Sequence, residues 1–216
     1  MEFYRKHPAV NTETQSKLPM LLGFGGLFES GKDTAADHLV ETRGFEKVNM
    51  SEPIDAALYA LNPIVRASAG PPVVVERYQE IRDAVGYTEA KRIPEVRALL
   101  QRMGVEVGRK IFGDGVWVGI AARSIQKLRA EGIPVCVSGI RFPGEQVMIT
   151  GIGGALVWVD RPGHVPAGSV TSRGDVTEVS IGASSFGCVL VHNGAVSDLQ
   201  TAAGRMVDLL GGRTAA

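Results

Sequence analysis

The chain is 216 residues long, enough for one domain with a sizeable core, and it carries 23 lysines and arginines against 23 aspartates and glutamates. Balanced charge excludes a global field that would draw the protein to polymeric nucleic acid or an anionic membrane, so any basic site is local. No apolar run is long enough to cross a bilayer, and residues 1–19 lack the apolar centre of a secretory signal, so they read as a flexible extension ahead of a single domain over 20–212. Cys136 and Cys188 both sit in apolar, strand-like runs, which predicts reduced, buried thiols in a cytoplasmic protein.

In chain order, Met20 to Phe24 is a continuous apolar run bounded by glycine, as expected of a strand covered on both faces. Gly26-Leu27-Phe28-Glu29-Ser30-Gly31-Lys32 follows and has the spacing of a phosphate-binding loop, whose glycines let consecutive backbone N–H groups curl around an anion. Lys32 adds a charge for the β and γ phosphates of a nucleotide. From Asp33 the chain turns helical with Ala35, Ala36, Leu39 and Val40 on one face, so the positive end of the helix dipole points the same way. Asp33 stands where a hydroxyl usually follows the lysine, and the hydroxyl comes one place later, at Thr34. That G-x-x-x-x-G-K-x-T spacing is similar to the loop of nucleoside monophosphate kinases.

Gly44 ends this helix and Phe45 to Met50 is a second strand. Ser51 is an N-cap for a helix through Leu61, and residues 62–74, with Pro63, Gly70, Pro71 and Pro72, form a loop. Val75 to Glu131 lacks strand alternation and reads as several helices broken near Gly86, Pro94 and Gly113. Ile133 to Ser138, Ala155 to Asp160 and Gly187 to Val191 are three further strands. A short helix to about Thr150 follows the first of them. Asn193-Gly194 turns the chain into a last helix, Val196 to Leu210, with Leu199, Ala202, Met206, Leu209 and Leu210 inward and a frayed tail from Leu210. Alternating strands and helices predict a three-layer α/β/α fold on a five-stranded, mainly parallel sheet, with ligands at the carboxyl ends of the strands.

The segment Arg97-Ala98-Leu99-Leu100-Gln101-Arg102-Met103-Gly104-Val105-Glu106-Val107-Gly108-Arg109 leads to Trp117, and the third strand leads to Arg141-Phe142-Pro143. Asp160-Arg161-Pro162, Thr177-Glu178 and Asn193-Gly194 come after them. In this order, together with the glycine-lysine-aspartate-threonine loop, these elements resemble the deoxynucleoside monophosphate kinases of bacteriophages. The resemblance implies a P-loop kinase that transfers the γ-phosphoryl of ATP to a deoxynucleoside monophosphate with Mg2+, an acceptor-binding helical region at about 62–131, and a lid at about 161–186. Relatives usually carry an aspartate just before the I/V-R-F-P element, and this chain has Gly139 there, so Asp33 is expected to take a larger share of the metal site.

Transfer between two polyanions calls for positive groups and exclusion of water. Lys32, Asp33, Arg141 and Arg161 are the expected catalytic residues; Gly26, Glu29, Ser30, Gly31, Lys32, Asp33 and Thr34 bind ATP, and Asp33 and Thr34 hold the metal. Val96, Leu99, Leu100, Met103 and Val107 form a buried stripe, while Arg102, Glu106 and Arg109 project together at helical spacing. Alone these three charges read as a solvated ladder; the resemblance makes them, with Gln101, Trp117 and Arg141, the acceptor site. Arg141 has a competing role as an ion-pair partner of Glu145, and Arg161 and Arg173 flank the lid. Trp117, Phe112 and Tyr78 either stack on the acceptor base or pack in the core. His38, His164 and His192 have no metal-ligand pattern and read as structural or surface residues. Two other readings stand beside this one. One is a related small-molecule kinase of phosphomevalonate or dephospho-coenzyme A type; the other is an ATP-dependent switch or assembly ATPase. The sequence leaves a homodimer open.

Overall fold

A computed structural model describes residues 19–27, 29–66, 68, 70–163 and 181–213. The predicted extension before Pro19, Phe28, His164, Arg173 and most of the predicted lid lie outside the described residues.

Five strands build the main sheet: β1 (Leu21–Gly25), β2 (Glu46–Asn49), β5 (Val135–Ile140), β6 (Ala155–Asp160) and β7 (Cys188–Val191). Their order is β2-β5-β1-β6-β7, and every pairing is parallel. β1 is therefore central, which is why its five residues are all buried. Alternate β1 side chains go to opposite faces. Leu22 and Phe24 pack with Ala35, Ala36 and Leu39 of α1 (Lys32–Arg43) and Leu199, Ala203 and Met206 of α7 (Val196–Arg213). Leu21 faces the other way, with Ala121 and Ile125 of α5 (Val116–Ala130) and Ile149 of α6 (Pro143–Gly151). The result is the three-layer α/β/α fold anticipated from the strand–helix alternation.

A third core joins α2 (Glu52–Leu61), α3 (Tyr78–Ala90) and α4 (Pro94–Arg102), with Leu58, Tyr78, Ile81, Ala90, Val96 and Leu100 buried. Residues 62–74 are less irregular than their prolines suggest. β3 (Ile64–Arg66) pairs antiparallel with β4 (Val75–Arg77), a hairpin too short and too exposed to leave a periodic signal. The breaks fall where glycine and proline predict: Gly86 interrupts α3 with φ 77°, and Pro94 opens α4.

Three local expectations are corrected. Ser51 occupies the N-cap position of α2 but makes no side-chain cap, because its hydroxyl donates to Asn49 Oδ1 at 2.8 Å. The last helix runs to Arg213, past the predicted tail. Leu209 is 71% exposed on it, while Ala203 takes the inward place. Both cysteines are free; burial pushes the Cys136 thiol up to about 12. Among the described residues, no helix is long and apolar enough to cross a membrane.

Candidate functional site

The loop from Gly26 to Lys32 joins the carboxyl end of β1 to the first turn of α1. It is a tight turn: Ser30 N–H donates to the Leu27 carbonyl at 3.1 Å, Glu29 has φ 59° and Gly31 φ 94°. Gly31 has a second reason to be glycine, since a Cβ there would lie 2.6 Å from Leu199 Cδ2. Lys32 is only 6% exposed, and its ammonium donates to the Leu27 carbonyl at 3.2 Å, inside the loop's curl. Asp33 is exposed and Thr34 half-buried on the first turn of α1. Their carboxylate and hydroxyl are hard oxygen donors, of the kind Mg2+ accepts when phosphates and water supply its other ligands. Among the described residues no cluster of three or more His, Cys, Asp or Glu could hold a metal alone. The Ser30 hydroxyl is buried and has no hydrogen-bond partner among the described residues.

His192 holds this loop from behind. It is 7% exposed at the end of β7, with Nε2 2.8 Å from the Ser30 carbonyl. Its Nδ1 accepts from the Gly194 N–H at 3.2 Å, so the neutral ring carries its proton on Nε2 and donates it to Ser30. Spacing alone marks His192 as structural; the fold makes it the link between the phosphate loop and the turn that starts α7. Arg161, exposed just after β6, lies over that turn, and a Cβ on Gly194 would sit 3.0 Å from Arg161 Nη2.

The second set of charges gathers after β5. Glu145 is 3% exposed on the first turn of α6, and its Oε2 accepts from the backbone N–H of Arg141 (2.7 Å) and of Phe142 (3.1 Å). Its Oε1 lies 3.3 Å from Arg109 Nη2. The Arg109 guanidinium also stacks on the Phe142 ring, 3.7 Å from its centroid. Burial raises the Glu145 carboxyl above its ordinary value, while the two N–H groups and the nearby guanidinium of Arg109 oppose that rise. Arg109 and Arg141 thus share the carboxyl edge of β5 through one carboxylate. The competing pairing of Arg141 with Glu145 is a backbone contact, and the ion pair belongs to Arg109. The sequence pairs Glu145 with Arg141 and misses its reach to Arg109 and to the backbone; the signal for the latter is a Glu three places after Phe142, opening a proline-initiated helix, the spacing at which a carboxylate reaches back to a helix start.

The rest of the predicted acceptor set is not gathered. Past Arg102 the chain forms a π-helical segment, Met103–Phe112. Its i→i+5 bonding widens the turn, so residues three apart, such as Glu106 and Arg109, no longer share a side as they would on an α-helix. Glu106 pairs with Lys110 at 2.6 Å, while Arg109 pairs with Glu145. Arg102 and Gln101 are exposed on α4. Trp117 is a packing residue: it is 7% exposed, donates from Nε1 to the Gly104 carbonyl at 2.8 Å, and lies flush on Gly108. Tyr78 is wholly buried and donates to Asp55, whereas Phe112 is 69% exposed.

Gly139 lies in a bulge. β1 pairs Phe24 with Ser138 and then Gly25 with Ile140, which leaves Gly139 unpaired at φ 82° with open space around its missing Cβ. Glycine here meets a backbone need as well as removing the aspartate expected from the resemblance.

No family model matches the sequence. Among curated proteins the chain is similar to an uncharacterized protein, ORF77, of Ictalurid herpesvirus 1 (strain Auburn), with 28% identity over 160 residues. The match takes in 74% of this chain and 58% of the viral protein, so the chain spans little more than half of that relative's length. Among solved structures it is similar to TT1252 from Thermus thermophilus (TM-score 0.46, 21% identity, 90% of this chain and 99% of that one). It is also similar to a sugar kinase from Janibacter sp. HTCC2649 (0.44, 14%, 89% and 95%). A third is a dephospho-CoA kinase from Campylobacter jejuni (0.42, 10%, 88% and 96%). Similarity at this level leaves each kinase description a property of the protein that bears it.

Proposed function

We propose that this protein is an ATP-dependent phosphotransferase for small phosphorylated acceptors, and specifically a deoxynucleoside monophosphate kinase giving the diphosphate and ADP. The observation that carries the reading is the pairing of a phosphate loop, clamped by His192, with a second cationic group, Arg109 and Arg141, at the neighbouring strand end. One polyanion fits the loop; a second, separate phosphate gives the arginines a ligand. The deoxynucleotide acceptor comes from the resemblance of the ordered sequence elements to the phage kinases.

In this reading the loop's N–H groups and Lys32 hold the donor's β and γ phosphates. An acceptor phosphate oxygen attacks the γ phosphorus, the bond to the β-phosphate oxygen breaks, and ADP leaves. The acceptor is already largely ionised near neutral pH, since a phosphate monoester loses its second proton at a pKa of about 6, so no strong general base is required. Arg109, oriented by Glu145, and Arg141 offset the charge spread over the transferring group. Mg2+ bound with ATP would neutralise phosphate charge, with Asp33 and Thr34 as its protein-side oxygens. Arg161 stands beside the turn that backs the loop, and in this reading it meets the donor's end.

The test is ADP formation from ATP and Mg2+ with each deoxynucleoside monophosphate, its ribose counterpart, and no acceptor. Turnover that requires a deoxynucleotide is the expected result, and Lys32→Met should lower it by about 100-fold or more with an unchanged circular dichroism spectrum. ADP released without an acceptor would overturn the kinase reading in favour of an ATPase.

A further inference from the structure

Lys91 belongs to none of the sequence elements that mark the site, yet the fold carries it there. It caps the end of α3, and its ammonium sits 4.6 Å above the Tyr87 ring. Tyr87 in turn donates to Ser51 Oγ at 2.9 Å, and Ser51 donates from both N–H and Oγ to Asn49 Oδ1 at 3.0 and 2.8 Å. Asn49 ends β2 and pairs with Ser138 of β5, two residues before the chain leaves the sheet towards Arg141. This relay fixes Lys91 to the carboxyl edge of the sheet from the side of the helical core.

The charges that act on Lys91 come from three elements: Arg141 after β5, Arg97 on α4, and Lys32 with Asp33 on α1. Cations thus outnumber the single carboxylate among the charges that act on Lys91. None of the ion pairs among the described residues includes Lys91, Arg97 or Arg141. An aromatic face attracts an ammonium without neutralising it. Burial, followed by Arg141, lowers the Lys91 pKa; Asp33 opposes this and does not restore it. A partly desolvated group of charges in which cations predominate is stabilised when an anion enters it.

We propose that Lys91 binds the acceptor's phosphate, forming with Arg141 an anion subsite at the carboxyl edge of the sheet, with the Tyr87 ring as the platform that aims its ammonium. This deepens the kinase reading and rests on it for the identity of the anion; the subsite itself is a claim about phosphate binding.

Two variants test it. Lys91→Met should raise the acceptor KM by about tenfold while leaving the ATP KM little changed, and Lys91→Arg should restore the acceptor KM. Because the wild-type ammonium loses its proton at a lower pH than an ordinary lysine, activity at low acceptor should fall on the alkaline side. Lys91→Arg should move that fall upward, a change that a merely structural lysine would not produce. Separately, inorganic phosphate binding is measured by calorimetry on Lys32→Met, which weakens the loop as a competing site, and on Lys32→Met with Lys91→Met. About tenfold weaker binding in the double variant supports the subsite even if no acceptor accelerates ADP formation, in which case only the kinase reading falls. Equal phosphate binding in both proteins, or a Lys91→Met enzyme with unchanged acceptor KM and alkaline profile, overturns it.

Discussion

His192 illustrates how one side chain holds the Gly26–Lys32 loop. Its ring satisfies a carbonyl of the loop in a buried contact and an N–H of the turn before α7 in a partly buried one. Replacing it with Phe keeps the volume and removes both partners, leaving two backbone groups unsatisfied at about 1–3 kcal/mol each where they stay buried. The expected outcome is a lower Tm together with a raised KM for ATP; unchanged ATP affinity would mean that the loop keeps its shape without the link. Cysteine chemistry has no such role. Cys136 is fully buried, and its thiol is held protonated through the physiological range.

At the scale of elements, the π-helical segment and α6 carry the predictions. Gly108 admits the Trp117 indole so closely that a Cβ would sit 2.2 Å from its Nε1. Gly108→Ala must push the segment away from α5, at about 1–3 kcal/mol for overpacking, and Arg109 goes with it. A denaturant midpoint shift and a rise in acceptor KM should appear together. In α6, Glu145 ties the helix start to Arg109. Its carboxyl is raised by burial, so the folded protein keeps that proton at a pH where the unfolded chain has released it. The folded state then binds more protons between the ordinary value of 4.5 and the raised one, and stability from this group falls as pH rises through that window. Glu145→Gln should flatten that part of the stability profile in urea titrations across the acid range. It should also impair turnover at neutral pH, because Arg109 loses its partner charge.

For the whole molecule, the decisive feature is that two cores flank the sheet while the third belongs to the α2–α4 region alone. Such a region opens by itself more readily than a central strand covered on both faces. Hydrogen exchange should therefore find amides of α3 and α4 unprotected before those of β1 and β5; simultaneous exchange would mean one cooperative unit. The order and parallel sense of the elements were legible in the chain because they rest on local signals. A buried parallel strand is a continuous apolar run, the phosphate loop is a contiguous motif, and Gly44, Gly86 and Pro94 punctuate helices through their own backbone geometry. The β3–β4 hairpin was not legible, since its short strands carry little burial pattern. Neither was the π-helical turn that separates Glu106 from Arg109, because helical spacing in a sequence presumes the α-helical pitch.

By itself, then, the sequence determined the α/β/α class, the loop that Lys32 serves, and the candidacy of Arg109 and Arg141, all written in residues close together along the chain. Only the tertiary structure decided that Glu145 joins those arginines, that His192 backs Ser30 from 162 positions away, and that Lys91 comes to the strand ends. Those pairings depend on which elements the parallel sheet brings side by side, and burial and charge compensation between distant segments leave no period in the sequence.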